Sequence, residues 1–257
     1  MTKFKPIEIN RPNPWPRLIL AGVLVLGVVS VGYLSYRYLS SPGSARWQQY
    51  QRYLGNPEEF SDLVIKAGTR CGDAPFAFPT DGIAFGLWGQ SYRPGHVHSG
   101  IDIFPATEPG VTPVYAAYDG YLTRLSDWIS TVIIRHPEDP LHPGDQVWTY
   151  YTHMASKDGK ESFVSEAFPP GTSEVFVAAG TILGYQGNYS GDPVNPTGLH
   201  LHFSVVKDDG QGGFLNELEI KNTYDPSPYF NLSFNYSENP DNFAVCEAQV
   251  SVENWGQ

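Results

Sequence analysis

The chain has 257 residues, 41% hydrophobic and 14% aromatic, which is enough apolar surface for one core of ordinary size. Its net charge is -11; because Lys3, Lys5, Arg11 and Arg17 outweigh Glu8 in the first 17 residues, the remainder holds 12 basic and 26 acidic residues, net -14. A body this acidic excludes nucleic acid as the expected partner, since phosphate binding needs clustered Lys and Arg.

In chain order, the basic leader 1–17 is followed by a charge-free run over 18–34 (LILAGVLVLGVVSVGYL). As a helix rising about 1.5 Å per residue this run would be about 25 Å long. Trp15, Tyr36 and Tyr38 extend it with side chains suited to a membrane interface. The expectation is a single transmembrane anchor over 18–36 in the cytoplasmic membrane, N-terminus inside, with the rest of the chain in the periplasm or outside the cell. A cleaved signal peptide, with small residues at Gly43-Ser44-Ala45, is the competing reading. Residues 37–70 are more polar and read as a short, partly helical stalk, with helix-compatible stretches at 47–54 and 58–66 on either side of Gly55-Asn56-Pro57.

From Cys71 onward, short β-type runs alternate with Gly, Pro, Asn and Asp. Runs at 114–117, 121–125, 131–135, 147–152, 174–178, 182–185 and 199–206 predict strands, with Asp119-Gly120 and Ala179-Gly180 as turns. The 26 glycines and 22 prolines agree with a mainly β domain over 71–232, and a polar tail over 233–257 is expected to pack on its surface. Cys71 and Cys246 are the two cysteines. An exported location permits a disulfide between them, and two buried thiols are the alternative.

Three segments carry chemistry. In Gly95-His96-Val97-His98-Ser99-Gly100-Ile101-Asp102, an imidazole and a carboxylate stand four residues apart with a glycine between them that lets the backbone bend. In Leu199-His200-Leu201-His202-Phe203, strand periodicity projects both histidines from one face. Two imidazoles there would be costly to bury unpaired, and metal ligation beside a general base accounts for them. The third segment, Trp148-Thr149-Tyr150-Tyr151-Thr152-His153, ends an aromatic strand in a histidine, which alone reads as a hydrogen-bonded structural residue. His96 reads as a solvated surface residue or a substrate contact, and His136 and His142 as loop residues.

Together these segments resemble the lysostaphin-type or LytM zinc metallopeptidases, over roughly 78–230. The order-preserving matches include GVTPVYAAYDG at 110–120 and VAAGTILGYQG at 177–187. The resemblance implies an antiparallel β-sheet catalytic core of the open-sandwich kind, binding one Zn2+ through His98, Asp102 and His202. It further implies that His200 acts on the attacking water, that His153 orients water or the developing oxyanion, and that Tyr92 assists. The implied activity is endopeptidase cleavage of peptidoglycan stems or crosslinks. A non-catalytic LytM-type activator of a cell-wall amidase and an exported peptidase acting on proteins are the alternatives. Segments 156–172 and 191–196 and the tail after Tyr229 depart from the pattern and bear on cleft shape.

Overall fold

The computed structural model describes residues 15–39, 43–91, 95–252 and 255–256, and the chain divides into two units, Met1–Ser44 and Ala45–Gln257. In the first, α1 spans Trp15–Leu39 and exposes apolar side chains such as Val23, Val28 and Leu34. The transmembrane anchor expected over 18–36 is not supported, because among the described residues no helix is long and apolar enough to cross a membrane. The side chains of residues 16–18, 21 and 38 lie outside the description.

The second unit is built on an eight-stranded, wholly antiparallel sheet in the order β2-β3-β10-β7-β6-β5-β8, with β11 pairing onto β10. Its strands are β2 (Ile83–Gly86), β3 (Ile101–Phe104), β5 (Gly120–Thr123), β6 (Val132–His136), β7 (Val147–Thr152), β8 (Val175–Val177), β10 (Leu201–Lys207) and β11 (Thr223–Tyr224). Two short ribbons complete the fold, β4 (Pro113–Tyr115) with β9 (Ile182–Tyr185) and β1 (Thr69–Cys71) with β12 (Gln249–Ser251).

Alternation along the strands sorts the residues between two faces. Ile101, Ile103, Tyr151, Leu201, Phe203 and Val205 enter the main core, which Val114 of β4 and Leu183 of β9 share. The intervening residues belong to the opposite face, where Ile133, Trp148 and Val206 form a smaller cluster flanked by Trp128, Tyr150 and Phe214. The site lies on that second face.

The stretch read as a stalk packs on the sheet from residue 45 onward. Helix α2 (Ser44–Gly55) buries Tyr50 and Tyr53, and Tyr50 stacks on Phe85 of β2 at 4.1 Å. Arg46 is 0% exposed and donates to the carbonyls of Phe85 (3.0 Å), Asn242 (2.6 Å), Asn239 (3.4 Å) and Ala84, with its guanidinium over the Phe243 ring. One buried cation thus ties α2, β2 and the C-terminal tail together. Arg46→Ala would leave these carbonyls short of donors and a cavity beside Phe243, so a loss of about 3 kcal/mol is expected. For a domain of this size that lowers Tm by roughly 10 °C. An unchanged melting curve would show that the guanidinium contributes nothing net.

Cys71 and Cys246 form a disulfide across a sequence separation of 175, beside the β1–β12 ribbon. Closing so long a loop removes denatured-state entropy worth up to about 5 kcal/mol in the chain-entropy model.

Candidate metal centre and cleft

The three central strands β3, β10 and β7 set the site by register. His202 lies opposite Asp102 on one side and Thr152 on the other, so Asp102, His202 and Thr152 form one row across the sheet. His98 comes from the loop before β3, His200 from the bridge with Gly187 that precedes β10, and His153 directly follows Thr152 at the end of β7. Gly100 serves a purpose other than the bend expected of it. A Cβ there would run into the Phe203 carbonyl and the Ser204 hydroxyl, so glycine is what lets the segment after His98 lie against β10. His153 has φ of 75°, a left-handed conformation that L-residues adopt at a cost of about 1 kcal/mol or more.

His98 Nε2, Asp102 Oδ1 and His202 Nδ1 form a triangle with edges of 3.0, 3.0 and 2.9 Å. Hydrogen-bond partners fix which nitrogens carry protons. His98 Nδ1 donates to the Leu87 carbonyl at 2.9 Å, so its Nε2 presents a lone pair. His202 Nε2 donates to Glu217 Oε1 at 2.8 Å, so its Nδ1 does the same. Two imidazole nitrogens and a carboxylate oxygen therefore converge on one point, an arrangement that calls for a shared proton or a metal cation among them. Tetrahedral zinc with bonds of 2.0–2.1 Å separates its ligands by about 3.3 Å, close to this triangle. The donor set fits zinc, and the same three residues are the group among the described residues able to hold a metal ion.

Electrostatics tells the same story. Burial opposes charge on Asp102, yet His98 and His200 outweigh it and hold the carboxyl well below its usual range. Burial likewise opposes charge on His202, but Glu217 and Asp102 push its pKa up to about 10. The pocket attracts positive charge, as a proton or as a metal.

Two further imidazoles face this centre. His200 stacks on Phe104 with ring centroids 4.8 Å apart, donates from Nδ1 to the Gly198 carbonyl at 2.7 Å and brings Nε2 within 3.4 Å of Asp102 Oδ1. His153 donates from Nδ1 to the Tyr189 carbonyl at 2.7 Å, and its ring lies 4.6 Å from that of His200. Burial, followed by the neighbouring His200 and His202, pushes His153 down to about 3, so it is neutral near pH 7. With its one N–H committed to Tyr189, His153 can accept a hydrogen bond but has none to give.

The cleft around these groups has a volume of about 550 Å³. Trp128, Ile129 and Tyr150 line it, together with Tyr189, Ser190 and Thr197, which flank the segment 191–196. His96, expected at the surface or against substrate, is half-buried in the cleft lining. Tyr92 lies outside the described residues. His136 is not a loop residue. It ends β6 fully buried, bonded to the Asp119 carbonyl and Thr149, and serves the core. His142 lies in the β6–β7 loop, bonded to Asp139. Glu217, which no sequence pattern singled out, lies 8% exposed behind His202.

No family model and no curated protein sequence matches the chain. Solved structures similar to it include lysostaphin from Staphylococcus simulans, at 16% identity and TM-score 0.36 over 65% of this chain and 55% of that one. A variant catalytic domain of the prophage-encoded M23 protein EnpA from Enterococcus faecalis is similar at 23% identity and TM-score 0.34, over 57% of this chain and 91% of that one. A structure described as a glycyl-glycine endopeptidase LytM from Ruminococcus gnavus is similar at 19% identity and TM-score 0.36, over 80% and 76%. The chain thus spans about half the length of the lysostaphin chain. The functional reading rests on the chemistry of the site itself.

Proposed function

We propose that the chain is a zinc-dependent endopeptidase that hydrolyses peptide bonds of peptidoglycan outside the cytoplasm. The observation that carries the reading is the convergence of three lone-pair donors, His98 Nε2, Asp102 Oδ1 and His202 Nδ1, within 3.0 Å of one another at the floor of an open cleft. The Cys71–Cys246 disulfide supports an oxidising compartment.

His98, Asp102 and His202 would hold the ion. Zinc in such a site supplies Lewis acidity, making water a usable nucleophile near neutral pH and drawing charge from a carbonyl oxygen. The chain's own residues manage the protons. His200 Nε2 takes one from the attacking water and returns it to the leaving amine. His153 Nε2 accepts the second O–H of the same water and so fixes its direction. Tyr92 is assigned an assisting role through the motif resemblance alone. Trp128, Ile129 and Tyr150 give the cleft a dry wall along which a peptide can lie.

The test is digestion of purified peptidoglycan by the purified chain, with fragments read by mass spectrometry and a zinc chelator as control. New amino termini within stems or crosslinks that vanish on chelation are the expected result. Cleavage of casein with intact peptidoglycan would replace the substrate by protein. Inert peptidoglycan that becomes sensitive only with an added amidase would turn the chain into an activator.

A further inference from the structure

Glu217 is a buried carboxylate that the proposed mechanism does not use. It belongs to the irregular segment between β10 and β11, is 8% exposed, and brings Oε1 within 2.8 Å of His202 Nε2, 2.6 Å of Ser204 Oγ and 2.7 Å of Ser99 Oγ. All three partners are fixed by the sheet and its approach: His202 and Ser204 share one face of β10, and Ser99 immediately follows His98. Removing a carboxylate from water is expensive, and three donors converging on one oxygen is a specific arrangement to retain behind a single imidazole.

From this geometry we infer that Glu217 is a positioning residue for the metal centre. By accepting the Nε2–H of His202 it selects the tautomer in which Nδ1 is the ligand, and by its charge it raises the basicity of that ligand. Ser99 and Ser204 hold the carboxylate against His202 in the cleft lining, and through Ser99 the clamp reaches the neighbour of His98. A histidine ligand oriented by a carboxylate on its far nitrogen is a recurrent device, and loss of such a partner typically costs 10- to 100-fold in metal affinity. With Glu217 ionised, the two carboxylates Asp102 and Glu217 balance the charge of a divalent ion, so the filled site is neutral within its buried surroundings.

This inference rests on the metal reading above, and the experiment separates the two. Zinc dissociation constants are measured for the full chain by competition with a chromogenic chelator, for wild type, Glu217→Gln and Glu217→Ala, alongside melting curves. The same proteins are loaded with Co2+ for visible spectra. Glu217→Gln keeps an oxygen that can accept from His202 and removes only the charge, so it is expected to fold and to bind zinc about 10-fold more weakly. Glu217→Ala removes charge and acceptor and is expected to lose about 100-fold, with a changed Co2+ spectrum because the orientation of His202 is no longer fixed. A wild-type protein that takes up no zinc would sink the metal reading itself. Wild-type zinc binding with unchanged affinity and unchanged Co2+ spectra in both variants would overturn the role of Glu217 alone. Should Glu217→Ala fail to fold, the affinity and spectrum of Glu217→Gln decide.

Discussion

Replacing His98 or His202 by alanine is expected to empty the protein of zinc and end hydrolysis of peptidoglycan together, whereas His200→Ala should keep the metal. The distinction follows from where each nitrogen points. His98 Nε2 and His202 Nδ1 belong to the triangle with Asp102 Oδ1, with edges of 2.9–3.0 Å, so removing either leaves two donors where an ion needs three. The loss should exceed the 10- to 100-fold typical of an outer partner. His200 Nε2 approaches the same carboxylate oxygen at 3.4 Å but its ring is held against Phe104, at the edge of the triangle. Metal content by elemental analysis and fragment release from peptidoglycan, measured on the same preparations, check the prediction. Full activity in zinc-free His202→Ala would end the metal reading.

How much of this site the sequence carried depends on which element holds each residue. The face of His202 was legible because strands alternate strictly, whereas Asp102 stood out by its spacing from His98 and by the motif resemblance. Leu201, Phe203 and Val205 had to face the core, which left His202 on the other face, opposite Asp102 in the register. The strand expected at 147–152 is β7 and that at 182–185 is β9, both bounded by turn residues. Glu217 was hidden because its segment has no periodicity, and only its effect was visible: Ser99 and Ser204, hydroxyls at buried positions that need an acceptor. Arg46 was hidden for a different reason. Its partners are backbone carbonyls at 84, 85, 239 and 242, and carbonyls leave no trace in sequence, so a packed helix read as a polar stalk. His136 misled because Pro137, Glu138 and Asp139 follow it, although the turn begins only after its own buried place in β6.

The pair His200 and His153 should show strong coupling in rate. Each has its Nδ1–H committed to a carbonyl, Gly198 for His200 and Tyr189 for His153, and so each presents a lone pair on Nε2. A water molecule has two hydrogens, and two acceptors whose rings lie 4.6 Å apart can take one each. His200→Ala, which removes the base, is expected to lower kcat by about 10²- to 10⁴-fold. His153→Ala should lower it less, since water can still be deprotonated without being aimed. Residues that act as a unit on one molecule are grossly non-additive, so the double variant should be no more than about 10-fold slower than His200→Ala. If the two effects simply multiplied, the imidazoles would be serving separate steps and the shared-water arrangement would fall. His153→Gln provides the complementary test: an amide oxygen can accept where the ring nitrogen did, so it should recover part of the rate lost in His153→Ala. Equal rates in those two variants, with zinc content retained, would therefore remove water orientation as the reason this imidazole is held at a left-handed turn.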